Sequence, residues 1–343
     1  MKVLRGLSLL TVVVLAGMLL GNTVVSAKPI ELSLSLMTPP KHLRNIHVID
    51  PWVKMVEERT KGAVKINIFY SSTLAPPAEM FDSTASGVID ISESYTFGNP
   101  GRFPITETLM LPELGFKTSL SCSNALWHLY KTLPEMKKEY AGVKMLWLHV
   151  TPGARLMTKK KPIRSIEDLK GLKISVSGAT AVKNAKALGF TPVTMSTADI
   201  YEAQEKGVID GFVRPVELLV SRKLSEVTKY VTDVDLGHDT FFLVMNQKSW
   251  DKLPPDVQKA FGELTGDWAV DFTGKAWDKF DKDAEKEMKG KVEFISLSSQ
   301  ELARWKKLLA PIKEEYAAEL AAKKLPDKKI FDELRKLAQK SNP

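Results

Sequence analysis

The chain has 343 residues, 44% of them hydrophobic and 26% charged, which excludes a disordered or low-complexity protein and gives enough length for two domains. Its one cysteine, Cys122, excludes an internal disulfide framework and any zinc site built on several thiolates. Lys and Arg number 49 against 41 Asp and Glu, a net charge of +8; apart from Lys159-Lys160-Lys161 it forms no dense run, which argues against nucleic-acid binding.

Lys2 and Arg5 precede an almost entirely apolar stretch over residues 7–20, and Val25-Ser26-Ala27 supplies the small residues of a signal-peptidase site. The pattern predicts export with cleavage after Ala27, leaving 47 basic and 41 acidic residues, a net +6. The apolar stretch is shorter than the roughly 20 residues a spanning helix needs. Met18 stands where a lipoprotein signal would carry cysteine, and no later stretch is long and apolar enough to cross a membrane. The mature protein is expected to be soluble.

Residues 30–36 read as a strand, broken by Pro39-Pro40; Asp50-Pro51 then opens a helix as N-cap and first-turn proline, and Gly62 closes it. Residues 64–70 alternate with a strand period, and a helix over 77–86 leads into a strand at 88–92. Further short apolar strands are expected at 144–150, 172–176, 191–195 and 208–212, with helices between the last three, so parallel α/β layers recur. MFDSTASGVIDIS at 80–92 is echoed by IYEAQEKGVIDGF at 200–212, with Gly-Val-Ile-Asp at the same spacing in both. The echo predicts two lobes that each carry one α/β corner, with a ligand in the cleft between them at the carboxyl ends of the strands.

After Pro254-Pro255, residues 256–289 are helical in pattern, with Trp268, Phe272, Ala276, Phe280 and Ala284 at every fourth position. Unbroken, such a helix would run about 50 Å, and Gly262, Gly266 and Gly274 are expected to weaken, bend or split it. Ser298 and Glu301 fit a capping box, and helical patterns continue to the C-terminus with a break at Pro326.

Motifs of catalysis are missing: the sequence holds no HExxH, GxxxxGK[ST], GxSxG or GxGxxG. The five histidines, 42, 47, 128, 149 and 238, include no pair three or four apart. Cys122 reads as packing, and Glu202 with Glu205 as a solvated helix face. An exported two-lobed chain of this kind reads as a binder that uses neither metal nor cofactor.

The stretch from 153 to 253 resembles the extracytoplasmic solute-binding proteins of TRAP transporters. Arg155, Lys161-Pro162-Ile163, Glu167-Asp168-Leu169-Lys170-Gly171-Leu172-Lys173-Ile174, Leu188-Gly189-Phe190-Thr191-Pro192-Val193, Tyr201-Glu202-Ala203-Gln204 and Gly207-Val208-Ile209-Asp210-Gly211 follow that family's signatures in order. Ser225-Glu226-Val227-Thr228-Lys229-Tyr230, His238 and Trp250-Asp251-Lys252-Leu253-Pro254 continue them, and the N-terminal half agrees more loosely through 57–68, Leu74 and 87–90. The resemblance implies a periplasmic-binding-protein fold, α/β and two-lobed, with a long helix crossing both lobes. Lobe one is expected over 28–152 and 241–280, lobe two over 153–240 and 281–343. It also implies capture of a small organic anion or an aromatic or apolar acid and delivery to TRAP membrane subunits, driven by an ion gradient without ATP, by a monomer in the periplasm. An ABC-type solute-binding protein is the alternative, and an exported enzyme on a similar fold a more distant one.

Two departures from the family pattern matter. Ser175 occupies the position of the arginine that pairs with the solute carboxylate, and Arg214 stands where an asparagine is usual, while Arg155 is retained at the other characteristic arginine position. A guanidinium offers a carboxylate a planar fork, and serine offers one hydroxyl and no charge. Either Arg214 supplies the second guanidinium, clamping the solute with Arg155, or packing holds a solute of different geometry. The expected ligand-binding residues are Arg155, Arg214, Ser175, Ser177, Thr38, Ser94, Tyr95, Phe212 and His238.

Overall fold

The computed structural model describes residues 28–341; the predicted leader and its cleavage after Ala27 lie outside the described residues. β1 (Ile30–Leu36), β2 (Val64–Phe69), β3 (Ile91–Tyr95) and β4 (Val143–Val150) join a late strand, β10 (Thr240–Asn246), in one five-stranded sheet. β5 (Arg155–Thr158), β6 (Lys173–Val176), β7 (Thr191–Thr194), β8 (Gly211–Arg214) and β9 (Tyr230–Asp233) join β11 (Glu293–Ser296) in a second, six-stranded sheet. The orders are β2-β1-β3-β10-β4 and β11-β9-β5-β8-β6-β7. Each sheet has three neighbouring parallel strands and one strand running against its neighbours: β10 lies antiparallel to β3 and β4, and β5 to β8 and β9.

The repeated Gly-Val-Ile-Asp is one corner built twice. In both copies glycine takes a positive φ (85° at Gly87, 73° at Gly207) that a side chain would strain, the valine is exposed and the isoleucine is buried. Val88 and Ile89 donate backbone hydrogen bonds to the Ser83 carbonyl, as Val208 and Ile209 do to that of Ala203. The aspartate then pins the neighbouring parallel strand: Asp90 accepts from the Ser33 N–H at 2.9 Å, Asp210 from the Lys173 N–H at 2.8 Å. The strands begin only after the aspartate, at Ile91 and Gly211, because valine and isoleucine are spent on turning the chain.

Asp50 is not an N-cap. A π-type turn over Asn45–Ile49 runs directly into the helix Asp50–Arg59, and the Asp50 carboxylate instead accepts from the Tyr70 hydroxyl at 2.8 Å. The stretch 256–289 is split: Pro255–Gly262 is one helix, Gly266 turns with φ +59°, and Asp267–Met288 is the next, 22 residues or about 33 Å. Gly274 neither bends nor breaks that helix. A Cβ there would lie 2.7 Å from the Leu120 Cα, so the glycine lets the helix Ser119–Thr132 approach closely, and Asp278 accepts from the N–H groups of Ser119 and Leu120 at that helix's start. A stripe at every fourth residue advances about 40° per step around a 3.6-residue helix. Trp268 is therefore partly exposed and stacked on Phe272, while Phe280 and Ala284 reach the core.

Asp267–Met288 spans the two lobes. It packs on Ser119–Thr132 and β4 of the first lobe and on Leu218–Ser221 of the second. Trp277 and Phe280 join the first core, which holds Trp52, Phe81 and Trp147 and continues into the second lobe, whereas Ala284 and Met288 join the second core, with Met157, Phe212 and Val231. Two connectors run side by side between the sheets, with Thr151 N–H bonded to the Asp239 carbonyl (2.9 Å) and Ala154 N–H to that of Gly237 (2.8 Å). The helix Ser299–Ala322 packs on Gly178–Leu188 of the second lobe, capped by Ser298, whose hydroxyl accepts from the Glu301 N–H. The last helix, Asp327–Ser341, departs from the expected division, in which all of 281–343 belonged to lobe two. It lies against Ser119–Thr132 of the first lobe as well as Ser299–Ala322, with Ile330, Phe331 and Leu334 burying its apolar face in the first core.

Candidate functional site

The carboxyl ends of β3, β6, β7 and β8 converge on a cavity of about 680 Å³ between the lobes, placed as parallel α/β layers place a ligand. The lobes meet across it: the Phe97 Cβ lies only 3.0 Å from where a Gly178 side chain would begin. From the first lobe come Met37, Tyr95, Phe97 and Phe241; from the second, Ser177, Met195, Arg214 and Arg222; Asp239 sits on a connector. Tyr95 and Phe97 stack face to face, ring centroids 4.1 Å apart, and Tyr95 meets Phe241 edge-on at 6.5 Å. This aromatic wall faces two guanidinium groups.

Arg214 ends β8 and is 2% exposed. Its Nη1 donates to the Val213 carbonyl at 2.7 Å, its Nε has no partner, and among the described residues no carboxylate lies within 4.0 Å of it. Burial pulls its pKa below that of an ordinary arginine, opposed by the more distant charge of Asp239. Arg222, which follows the short helix Leu218–Ser221, also has an unpartnered Nε and no carboxylate that close. Burial lowers its pKa, with Glu217 acting the other way; Glu217 is itself buried and pushed up to about 7. Cations buried without a counter-charge are costly, and this cleft keeps two guanidinium groups with no acid within 4.0 Å among the described residues.

A third arginine is neutralised. Arg44 is buried against Glu93 at 2.8 Å, with its guanidinium 4.9 Å from the Phe241 ring centre. Glu93 also meets His149 Nε2 at 3.0 Å, and the Trp277 indole donates to His149 Nδ1 at 3.1 Å. This closed network backs the aromatic wall.

Of the residues expected from the sequence, the structure brings Arg214, Ser177 and Tyr95 together in the cleft. Arg155 is not with them. It lines a separate cavity of about 430 Å³, where its Nε meets Asp233 at 3.0 Å, its Nη1 meets Glu285 and its Nη2 lies 4.0 Å from Asp281. Burial opposes its charge, yet the three acids outweigh it and hold its pKa above the usual value. His238 lines that same cavity and bonds through Nδ1 to the Thr151 carbonyl at 3.0 Å. Ser175 is fully buried, its hydroxyl without a partner, and Phe212, its register partner across β6 and β8, lies in the second core. Thr38 is buried on Asn45, and the Ser94 hydroxyl donates to the Pro77 carbonyl.

Residues 34–320 match the model of the bacterial extracellular solute-binding protein, family 7. The C4-dicarboxylate-binding periplasmic protein of Rhodobacter capsulatus is 27% identical over 326 residues, 89% of this chain and 94% of that one. A TRAP periplasmic solute-binding protein of Bordetella bronchiseptica, with bound (R)- and (S)-mandelate, superposes with a TM-score of 0.84 at 28% identity, covering 91% of this chain and 99% of that one. A TRAP solute-binding protein from an unidentified marine microbe, specific for aromatic acid ligands and in complex with meta-hydroxyphenylacetate, gives a TM-score of 0.86 at 26% identity, covering 92% and 100%. The chain therefore belongs to the family 7 extracellular solute-binding proteins, the periplasmic receptors that serve the membrane subunits of TRAP transport systems.

Proposed function

We propose that this receptor captures a small aromatic monocarboxylic acid, with Arg214 and Arg222 holding the carboxylate and Tyr95, Phe97 and Phe241 covering the ring. The observation that carries the reading is the Arg214 guanidinium, buried at the end of β8 with no acid within 4.0 Å among the described residues. Arg214 thereby takes the part of the arginine replaced by Ser175, from another strand of the same sheet, and Ser177 adds a hydroxyl at the cleft. The relatives with bound mandelate and meta-hydroxyphenylacetate support an aromatic body. Two guanidinium groups would also suit a C4-dicarboxylate, which the Rhodobacter relative is named for, but three aromatic rings offer its short chain little polar partnership.

The two lobes, 28–152 with 241–280 and 153–240 with 281–343, would move about the paired connectors, with the last helix of the second segment riding on the first lobe. Closure sheds water from the arginines, strengthening their hold on the anion. The solute is released unchanged, since the residues facing the cleft include no nucleophile set against a base. Mass spectrometry of the molecule carried through purification, followed by calorimetric titration of benzoate, phenylacetate and succinate, tests the reading. An aromatic acid is expected, binding at least tenfold tighter than succinate and recovered intact. A preference for succinate, or consumption of the acid by pure protein, would overturn it.

A further inference from the structure

Among the described residues Asp239 is the one acid lining the cleft, and its carboxylate accepts no hydrogen bond from them: only its backbone is engaged, with the Thr151 hydroxyl and N–H. It is close enough to Arg214 for each charge to favour the other, yet more than 4.0 Å away, so the two do not close an ion pair. A carboxylate that accepts nothing, lining the same cleft as a guanidinium whose Nε is unpartnered, is a matched acceptor and donor with a gap between them. A solute that places its own carboxylate on Arg214 leaves Asp239 facing the atoms next to that carboxylate. An acid that is plain CH₂ there would set a hydrocarbon against an unpaired charge and strip it of water; one with a donor there would satisfy it.

We infer that Asp239 selects solutes bearing a hydrogen-bond donor, hydroxyl or ammonium, on the carbon adjacent to the carboxylate. The inference rests on the carboxylate reading above but goes beyond it, since Arg214 and Arg222 alone would accept any aromatic acid. It also assigns the donor to the carboxylate end of the solute, because Asp239 neighbours Arg214, while the ring lies against Tyr95 and Phe97.

Titration of phenylacetate, mandelate and 2-phenylglycine into the full-length mature protein reads this directly. Mandelate or phenylglycine is expected to bind at least tenfold tighter than phenylacetate. In Asp239→Ala the preference should collapse, with phenylacetate binding as well as before or better, since a charge that competes for Arg214 is gone. Asp239→Asn separates the donors: an amide oxygen still accepts from a hydroxyl but gives an ammonium no counter-charge, so phenylglycine should lose more than mandelate. Equal affinity for the three acids in the wild-type protein, or an equal loss for all three in Asp239→Ala, would overturn the role of Asp239 while leaving the arginine site standing. Failure of all three to bind, with Arg214→Met equally without effect on the co-purified solute, would overturn the carboxylate reading and this inference with it.

Discussion

Arg155 and Arg214 stand opposite one another in the β5–β8 ladder, yet they live in different electrostatic worlds. Arg155 opens its strand facing Asp233, Asp281 and Glu285; Arg214 closes its strand facing aromatic rings and one distant acid. The first is compensated by its own chain and braces the second lobe against the crossing helix. The second has no counter-charge within 4.0 Å among the described residues, and on the proposed reading the solute supplies it. An arginine's role follows from what faces it, and register alone does not assign it.

The largest effects should come from exchanging the two. Arg214→Met keeps the apolar stem and deletes the charge, and is expected to weaken binding of the co-purified acid by about ten- to a hundredfold or more, read by calorimetry. The same variant without ligand should melt at the wild-type temperature or above it, because a buried, unpaired guanidinium is removed. Arg155→Ala should do the reverse, leaving Kd nearly unchanged and costing about 1–2 kcal/mol of stability. A loss of affinity confined to Arg155→Ala would abolish the contrast.

Acid titration sharpens the second half of that contrast. Burial pushes Asp281 up to about 6, Arg155 pulls it down and Glu285 pushes it up again. The folded protein then holds a proton that the unfolded chain, near 3.8, has released, so this group's contribution to stability falls as pH rises from about 4 to about 6. Without Arg155 the folded-state pKa climbs further. The penalty of Arg155→Ala in thermal melts should therefore be larger at pH 8 than at pH 4, where Asp281 is protonated with or without its partner.

Arg222 is the milder member of the cleft pair. It is only partly buried and Glu217 lies behind it, so Arg222→Ala should weaken the same acid by about three- to tenfold. An effect equal to that of Arg214→Met would show that the two guanidinium groups act as one fork.

Seven of the eleven strands and the two corners were legible because their signals are local: alternation in β2, the apolar runs of β1 and β4, and a glycine–aspartate corner whose copies share spacing and hydrogen bonds, whereas β5, β9, β10 and β11 were not read. Arg214 was visible as a departure from a family pattern. The fate of Arg155 was not, since Asp233, Asp281 and Glu285 reach it from another strand and from the crossing helix. Arg222 was missed because beside Lys223 and after a four-residue helix it has the signature of a surface charge. Phe212 misled because face alone does not decide access: two residues apart on β8, Phe212 and Arg214 share a face, but Arg214 ends the strand at the mouth of the cleft while Phe212, inside the strand, lies in the second core.

Ser175 gives the smallest expected effect and the most pointed one. The resemblance sets it at the place of the family's carboxylate arginine, yet its side chain is enclosed and shares a register row with Phe212 and Val193. Its hydroxyl has no partner, so Ser175→Ala removes a polar atom that burial already penalises; stability should stay the same or rise by less than about 1 kcal/mol, with Kd within about twofold of wild type. Ser175→Arg should not restore binding in the Arg214→Met background, because a guanidinium starting there must displace the second core before it reaches the cleft. If Ser175→Ala instead weakened the acid by fivefold or more, the serine would be a ligand contact, and the anchor would not have passed wholly from β6 to β8.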